Sequence, residues 1–410
     1  MSVGWIGRLS IRDFRNLSRV EIEPPGEGFV LVGDNGEGKT NFLEAIQYLQ
    51  ILRSFRGALD RELVSFGRPG FHLSADLIDA PVHQVSVGFL RAGTRKKATL
   101  DGVEPARLSG ALGTFPAVVF SPQDVALVSG APSERRRFLD VVLSLTSPVY
   151  LAALQRYRAS LARRNAALRD GFAPDARARA RRAAASAAAD DASDGGSGGR
   201  QGGSVEERVA VWEPALAEYG AVLWRERRRW VEANAGEFRE LCVAIGERGT
   251  PAMRYVGGGE VADDLEATLR AALEKKRALD LKRGLTHVGP HRDDLALLLD
   301  DHELRTFGSA GQQRTAAMAL RLLEAATLRA HAGREPVVLL DDPFAELDVR
   351  RSTRILELLD AGRRGQTILA VPRESDIPQG LTRLARWRIS AGVIAPATGA
   401  AVATGSGAVE

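Results

Sequence analysis

The chain is poor in several residue types that would direct it to particular classes of protein. It has 410 residues and a single cysteine, Cys242, which excludes an internal disulfide framework and predicts a reducing compartment. Its six histidines show no metal-ligand spacing, so no structural zinc site is predicted. Arg8 and Arg12 interrupt the N-terminal segment, and no apolar run approaches the roughly 18 residues of a membrane span. These absences predict a cytoplasmic protein without a membrane segment.

Lysine is also scarce, since only six of the 56 basic residues are lysines. The net charge of +4 and the pI of about 9.4 permit local basic surfaces that suit polyanions. A preference for arginine is equally typical of GC-rich coding, however, so charge alone does not predict a nucleic-acid-binding protein. With 44% hydrophobic and 26% charged residues, the chain can bury a large core and is expected to form two domains.

The strongest positive signal is a glycine-rich segment between an apolar run, Phe29 to Val32, and a helix-like stretch. Residues 33–40 read GDNGEGKT and fit the phosphate-loop pattern GxxxxGKS/T. In such a loop the backbone N–H groups face phosphate oxygens, Lys39 reaches the β- and γ-phosphates, and Thr40 can ligate Mg²⁺. The predicted nucleotide-binding residues of this segment are Gly33, Asp34, Asn35, Gly36, Glu37, Gly38, Lys39, Thr40 and Asn41.

A second half of the same site is predicted roughly 300 residues later. The run Val337 to Leu340 is typical of a buried strand, and it ends in two carboxylates. Asp341 is expected to hold Mg²⁺ and Asp342 to position the attacking water. The two halves must therefore meet in space, and together they predict a nucleoside triphosphate site with ATP and Mg²⁺.

The order of patterns along the chain predicts the domain organisation. Residues 1–132 and 281–390 form the two lobes of one α/β head, and residues 133–280 form a mainly helical arm. The helical pattern runs from Arg137 to Leu168 and resumes at Val205, so the two long segments are expected to pack as an antiparallel pair. Residues 171–204 are predicted to be a disordered insertion, and residues 391–410 a flexible tail. The expected fold is a phosphate-loop ABC-type ATPase head of the SMC kind with an inserted arm.

Several further segments carry a resemblance to a known family: Leu9–Leu17, Ser54–Arg56, Phe120–Asp124, Arg135–Asp140, Arg163–Asn165, Gly289–Leu295, Ser309–Arg314 and Leu340–Asp348. They resemble the RecF family, the DNA replication and repair ATPases of bacterial recombinational gap repair. The likeness covers almost the whole chain, and the most family-specific segment is Gly289–Leu295.

The resemblance implies roles for further residues. The segment containing Ser309, Gly311 and Gln312 would reach the γ-phosphate bound to the opposite subunit, although Ser309 could merely cap its helix. Asp348 would lie at the dimer interface, unless its segment is an ordinary turn. Gln123 would contact Mg²⁺ or the attacking water, unless it is a surface residue. Arg15 and Asn16 would belong to the nucleotide-binding set.

The resemblance further implies an ATP-dependent homodimer on single-stranded and gapped duplex DNA, with RecR and RecO as partners. Two departures from ABC-type heads stand out. Asp342 occupies the place of the usual glutamate, which implies slow hydrolysis, and Ala370–Glu374 lacks a switch histidine. Two alternatives remain open: an ABC-type motor subunit that does not act on DNA, and a scaffold that binds nucleotide without turnover.

Clusters of basic residues are candidates for phosphate contacts. Because Trp224 and Trp230 do not share a helix face, at least one of them is expected to pack in a core. The candidate clusters are Arg135–Arg137, Arg163 with Arg164, Trp224–Trp230 and Lys275–Arg277.

Overall fold

A computed structural model describes residues 4–172, 204–258, 264–343, 349–361 and 365–397. Almost all of the predicted insertion 171–204 lies outside these ranges, as does the predicted site residue Asp348. The strands of the described chain are β1 (Trp5–Phe14), β2 (Leu17–Ile22), β3 (Gly28–Val32), β4 (Gly70–Ile78), β5 (Gln84–Leu90), β6 (Arg95–Leu100), β7 (Ala117–Phe120), β8 (Pro251–Val256), β9 (Asp294–Leu299), β10 (His302–Glu303), β11 (Val337–Asp341), β12 (Thr367–Val371), β13 (Ala385–Ser390) and β14 (Val393–Pro396).

The helices alternate with these strands at both ends of the chain and dominate its middle. They are α1 (Lys39–Ile51), α2 (Asp60–Leu63), α3 (Ala126–Ser129), α4 (Pro132–Thr146), α5 (Pro148–Phe172), α6 (Val205–Ala210), α7 (Glu213–Ile245), α8 (Leu265–Arg283), α9 (Leu304–Phe307), α10 (Ala310–Ala332) and α11 (Val349–Ala361). No helix among the described residues is both long enough and apolar enough to cross a membrane.

A six-stranded sheet joins the two ends of the chain, with strand order β14-β13-β3-β12-β11-β7. Strands β13, β3, β12, β11 and β7 run parallel, and Val30 of β3 pairs with Leu369 of β12, which in turn pairs with Leu340 of β11. Every residue of β3, β7 and β11 is buried, as expected for parallel strands covered on both faces. The phosphate loop follows β3, Gln123 follows β7 and Asp341 ends β11. Parallel pairing therefore brings these residues to one edge of the sheet.

A second, antiparallel sheet has the order β2-β1-β4-β5-β6. Helix α1 packs with its inner face against the core shared by the two sheets. The rings of Phe14, Tyr48 and Phe71 meet edge to face in this core, with centroids 5.2 Å apart for Phe14 and Phe71 and 5.3 Å apart for Tyr48 and Phe71. The helix that carries Lys39 and Thr40 is thus fixed by buried apolar contacts. A small sheet of order β10-β9-β8 completes the strands.

Backbone contacts divide the chain into two compact units. The first contains residues 1–130, 236–252 and 297–410, and the second contains residues 131–235 and 253–296. Two stretches thus group differently from the expected lobes and arm: residues 236–252 belong to the first unit, and residues 281–296 belong to the second. The second stretch includes the segment Gly289–Leu295, so that family-specific motif is part of the helical unit and not of the head.

In the second unit, side-chain contacts run in opposite directions along two segments. Arg164 pairs with Glu213, Arg156 contacts Tyr219, and Phe138 packs on Trp230. The segments are therefore antiparallel. The single predicted helical stretch from Arg137 to Leu168 is instead two helices, broken at Ser147, whose φ of −138° and ψ of 104° are extended. Pro148 explains the break, because proline has no N–H and disfavours the helical conformation of the residue before it.

The beginning of the predicted flexible tail is ordered. Residues 393–396 form β14, which pairs antiparallel with β13 through Ile389 and Ile394. The turn between these strands contacts the phosphate loop, since the main-chain N–H of Gly392 donates to the carbonyl oxygen of Glu37 at 3.2 Å. Only residues 398–410 of the tail lie outside the described chain.

Candidate functional site: a split nucleotide site

The phosphate loop joins β3 to α1, and its sequence suits the backbone it must adopt. Gly38 has a φ of +114°, a region that L-residues rarely adopt, and a Cβ there would lie 2.7 Å from the side-chain oxygen of Asn16. A Cβ on Gly33 would lie 2.5 Å from the carbonyl oxygen of Ile389 in β13. Glycine is therefore required at both positions, for backbone curvature at one and for close strand packing at the other.

Lys39 is the first residue of α1 and is 8% exposed. Its ammonium group donates to the carbonyl oxygens of Gly33 at 2.6 Å and Asp34 at 2.9 Å. Burial lowers the pKa of Lys39, and the nearby carboxylates of Asp341 and Asp342 oppose this effect. The loop thus holds a cation inside its own curve, where an anion such as a phosphate would offset the cost of burying it.

The two halves of the predicted site meet at Thr40 and Asp341. The Thr40 hydroxyl lies 2.9 Å from Oδ1 and 3.0 Å from Oδ2 of Asp341, although 301 positions separate the residues. Burial raises the pKa of Asp341, and the neighbouring Asp342 adds to the rise. Burial also raises the pKa of Asp342, with a contribution from Asp376. Asp342 has a φ of +46°, an uncommon conformation that is typical of functional sites.

A cavity of about 400 Å³ opens between these halves. Gln123 lies in its wall, after a turn in which the Ser121 hydroxyl accepts from the Gln123 main-chain N–H at 3.3 Å. The predicted residues that line the cavity are Asn35, Gly36, Gly38, Lys39, Thr40, Asn41, Gln123, Asp341 and Asp342. A volume of this size is within the range of small-ligand sites.

Other predicted residues contact the loop instead of the cavity. The Asn16 amide donates to the carbonyl oxygens of Gly36 at 3.3 Å and Glu37 at 3.0 Å, and it accepts from the Asn41 amide at 2.9 Å. Arg15 makes two hydrogen bonds with the buried carboxylate of Glu44, at 3.0 and 3.1 Å. Asn16 therefore stabilises the conformation of the phosphate loop. Arg15 contacts α1 through Glu44 and does not contact the loop in these hydrogen bonds.

The Glu37 side chain is also directed to the protein, since its carboxylate accepts from the main-chain N–H of Ala391 in the β13–β14 turn. Asp34 contributes its carbonyl oxygen to Lys39 and to the Glu37 N–H, at 3.4 Å for the latter. These contacts fix the loop from the side of β13.

Sequence reasoning assigned no role to Arg56 or Pro372, which also line the cavity. Arg56 donates to the side-chain oxygen of Asn41 at 3.1 Å and lies 3.6 Å from the Glu44 carboxylate. Arg56 could have been predicted from the sequence, because the segment Ser54–Arg56 is one of the segments that resemble the RecF family. Pro372 follows β12 at the place where a switch histidine is absent from the sequence. No proton-transfer group replaces the histidine at this position.

Ser309, Gly311 and Gln312 begin α10 and lie outside the phosphate-loop cavity. Ser309 and Gln312 cap the helix reciprocally, with the Gln312 N–H donating to the Ser309 hydroxyl at 3.3 Å and the Ser309 N–H donating to the Gln312 side chain at 2.8 Å. Both residues line a second cavity of about 850 Å³, whose wall includes Arg248, Arg350 and Arg354. A Cβ on Gly311 would lie 2.6 Å from the guanidinium of Arg351.

No protein-family model matches the chain. Relatives named DNA replication and repair protein RecF match over nearly their whole length. The relative from Herpetosiphon aurantiacus is 33% identical over 413 residues, covering 96% of this chain and 100% of the relative. The relative from Roseiflexus castenholzii is 34% identical over 418 residues, covering 96% and 100%.

The chain belongs to the RecF family.

The structure of this RecF-family chain is similar to a solved structure of the recombination mediator protein RecF with ATP, in the RecFOR pathway, with a TM-score of 0.79. The match is 27% identical and covers 96% of this chain and 98% of that one. An Smc head domain with an extended coiled coil, bound to the C-terminal domain of ScpA and derived from Pyrococcus furiosus, matches with a TM-score of 0.50 at 16% identity. The predicted ABC-type head of the SMC kind is confirmed.

The basic clusters of this RecF-family chain divide into buried and exposed residues. Arg135 pairs with Asp294 at 2.7 and 2.8 Å, and Arg164 has no exposed surface. Trp224 and Trp230 are both buried, so neither forms a stacking platform on the surface. Lys275 and Lys276 are exposed on α8, where their charges are accessible. Several of the predicted phosphate contacts are therefore structural residues.

Proposed function

We propose that this chain is an ATP-dependent DNA-binding protein of recombinational repair and replication-fork maintenance. ATP binding would close a head-to-tail homodimer on single-stranded or gapped duplex DNA and promote recombinase loading, and slow hydrolysis would release it. The observation that carries the proposal is the 2.9 Å contact between Thr40 and Asp341 beside buried Lys39. This contact supports the proposal because it brings together the two halves of the predicted triphosphate site.

The residues present fit ATP and Mg²⁺. A hydroxyl and a carboxylate oxygen are the hard ligands that Mg²⁺ prefers, and Thr40 and Asp341 present both at one point. The raised pKa of Asp341 reflects a carboxylate whose charge is poorly solvated, which a cation would relieve. Thr40 and Asp341 would hold the ion, which would offset charge on the triphosphate. Gln123 lines the same cavity, which supports a role in orienting the water or the ion.

Asp342 is the group we assign to the attacking water. It lines the same cavity, is half-buried and carries a raised pKa, which is typical of a carboxylate that accepts a proton. Its side chain is one methylene shorter than the glutamate usual in ABC-type heads. We infer slow ATP hydrolysis from this shorter reach. The rate of hydrolysis would then set the lifetime of the closed dimer.

A dimer is supported by the position of Ser309. Ser309 lies in a cavity distinct from the one that contains Lys39, so one copy of the chain does not bring both residues to one nucleotide. The arginines of the second cavity suit an anionic ligand such as the triphosphate held by another copy. Two shared sites per dimer would follow, with Asp348 assigned to the interface.

DNA, RecR and RecO are proposed as partners because the solved structures of the recombination mediator RecF belong to the RecFOR pathway. The expected compartment is the cytoplasm. ATP turnover by the purified protein, with and without gapped DNA, tests the function. Stimulation by DNA supports it. ATP turnover that is the same with and without DNA would favour a motor subunit. Nucleotide binding without ATP turnover would favour a scaffold.

Lys39→Ala tests the site assignment. The loss of the buried ammonium should abolish ATP binding and, with it, ATP-dependent dimerisation. Lys97→Ala is the matched control, because Lys97 is an exposed lysine that pairs with Glu104 at 3.1 Å. Near-normal ATP affinity of Lys39→Ala, measured by fluorescent-nucleotide titration, would contradict the assignment.

Ser309→Arg tests sharing between subunits. The bulk and charge should block closure while leaving ATP binding to the monomer nearly intact, because the Lys39 loop is unchanged. Ser309→Ala is the control for the lost helix cap, which is worth about 1 kcal/mol of helix stability. A mixture of Ser309→Arg with Lys39→Ala should recover part of the turnover, since one site of each heterodimer is intact. A wild-type protein that stays monomeric with ATP in light scattering would refute the dimer.

A further inference from the structure

The helical unit contains a cavity of about 260 Å³ that the ATPase site does not use. Its wall is formed by α4, α5, α7 and the family-specific segment Gly289–Leu295. Four arginines line it: Arg136, Arg137, Arg158 and Arg227. The arginines come from three separate helices, so the cluster is a product of the fold and not of one basic run in the sequence.

The described wall of this cavity has an excess of positive charge. Asp140 is the carboxylate that lines it, and this group is shared: Oδ1 lies 2.7 Å from Arg227 and Oδ2 lies 2.7 Å from Arg158. Arg136 donates to a main-chain carbonyl, that of Asp293, at 2.6 Å. One carboxylate of the described wall therefore faces four guanidinium groups. Burial lowers the pKa of Arg136, and the nearby charge of Arg227 adds to this effect, while the carboxylates of Asp294, Asp293 and Asp140 oppose it.

The remaining polar groups of the wall do not supply the missing negative charge. The Nε2 atom of His291 lies 3.1 Å from the Thr286 carbonyl oxygen and must donate to it. The Nδ1 atom lies 2.6 Å from the Tyr157 hydroxyl, which donates to it when the ring is neutral. Burial lowers the pKa of His291 to about 4, and burial raises that of Tyr157. Both rings thus stay uncharged at neutral pH.

One side of the cavity wall is held in place by hydrogen bonds within the protein. Arg227 is 2% exposed and donates to the Tyr150 hydroxyl at 2.9 Å and the Pro290 carbonyl oxygen at 2.7 Å. Tyr150 in turn donates to Asp140 at 2.5 Å. This network fixes Arg227 in advance, so that little side-chain entropy of this residue is lost when an anion binds.

We propose that this cavity binds a phosphate group. Guanidinium groups from three helices line one cavity, and arginine is the residue best suited to hold phosphate with two parallel hydrogen bonds. The volume accommodates a small anion but falls just below the range of drug-sized ligand sites. The phosphate belongs either to a nucleic acid strand or to a small phosphorylated molecule.

The first measurement uses inorganic phosphate and the Lys39→Ala protein, in which the phosphate loop no longer competes. Calorimetric titration should detect phosphate binding that weakens at least fivefold when Arg136→Gln or Arg158→Gln is added. Arg229→Gln is the matched control, because Arg229 is an arginine on α7 outside the cavity wall. The Arg158 side chain is 54% exposed, so Arg158→Gln keeps the test valid if Arg136→Gln does not fold.

The second measurement identifies the source of the phosphate. If the phosphate belongs to DNA, Arg136→Gln and Arg158→Gln should each weaken DNA binding about three- to tenfold, measured by the anisotropy of a labelled oligonucleotide. The slope of log affinity against log salt should fall by about 0.7 for single strands or about 0.9 for duplex, as for one lost phosphate contact. Loss of phosphate binding with unchanged DNA affinity would support a small phosphorylated ligand. If the arginine variants lose phosphate binding but the protein without these substitutions does not bind DNA either, the phosphate site would be supported and the proposed function would be refuted. Absence of phosphate binding, its survival in both variants, or binding of an acidic peptide in its place would overturn the inference.

Discussion

Arg164→Met is the substitution whose effect can be worked out most fully from the structure. Arg164 has no exposed surface, and it donates to Asp280 at 2.7 Å, Thr286 at 2.8 Å and Glu213 at 2.9 Å. Asp280 is also fully buried. Methionine fills much of the volume of the arginine stem but leaves Oδ2 of Asp280 without its charged partner.

The expected cost follows from the charge left behind. Removing one member of a buried ion pair costs about 3–5 kcal/mol. Glu213 keeps Arg277, which pairs with it at 2.6 Å, so the loss concerns mainly Asp280. The second unit has about 150 residues. At about 2–4 °C per kcal/mol for a unit of this size, its melting transition should fall by about 6–20 °C.

Urea unfolding followed by circular dichroism measures the effect. Arg169→Met is the control, because Arg169 is an exposed arginine on the same helix. Adding Asp280→Asn to Arg164→Met should recover part of the loss, since an unpaired amide costs less than an unpaired carboxylate. If Arg164→Met stays within about 1 kcal/mol of the control, the buried network does not stabilise the unit. A DNA contact would instead show weaker binding with unchanged stability.

Two further predictions concern the carboxylates of the nucleotide site. Asp342→Asn should keep ATP bound, lower turnover roughly a hundredfold in a steady-state assay and prolong the closed dimer on DNA, as expected when a general base is lost; unchanged turnover would mean that another group positions the water. Asp341→Asn should raise the melting temperature of the nucleotide-free protein at pH 7, with a gain that shrinks as the pH falls through the folded pKa and is lost by about pH 4. The sign follows from the raised pKa of Asp341: the folded state holds the proton to a higher pH than the unfolded state, so stability falls as pH rises through the folded pKa. A less stable variant at pH 7 would contradict this reasoning.

The sequence predicted the phosphate-loop segment and the strands beside it better than other parts of the fold, and the reason is physical. A phosphate loop needs glycines, a lysine and a hydroxyl at fixed spacing, so the pattern around Lys39 seldom arises by chance. The run before Asp341 is uniformly apolar because both faces of a parallel strand are buried. Strand β11 was therefore visible in the sequence.

Other elements could not be predicted because their signals depend on tertiary contacts. Strands β4 and β6 carry His72 and Lys96–Lys97 among their apolar residues, and an antiparallel sheet tolerates such residues on its solvated face. Arg15 was predicted as a nucleotide ligand because it lies next to Asn16 in a family-like segment. Only the fold shows that its guanidinium reaches Glu44 on α1.

Arginine clusters were the least informative signal, because the same residue serves buried pairs and exposed surfaces. Arg163 and Arg164 are adjacent in the sequence but differ in environment. The guanidinium carbon of Arg163 lies 5.1 Å from the ring centroid of Trp212, whereas Arg164 is buried and pairs with Glu213 and Asp280. Helix geometry sends neighbouring side chains in different directions, and no composition argument can tell them apart.

The electrostatics of the candidate nucleotide site favour the binding of a charged ligand. Burial lowers the pKa of Lys39 and raises those of Asp341 and Asp342, so the environment opposes the charged form of each group. The fold holds them together through buried packing of α1 and through Asn16, which fixes the loop from outside. A triphosphate with its cation would relieve both signs of charge at once. Binding energy of this kind, released only when the ligand is present, is what a protein needs to couple nucleotide to a change of partner.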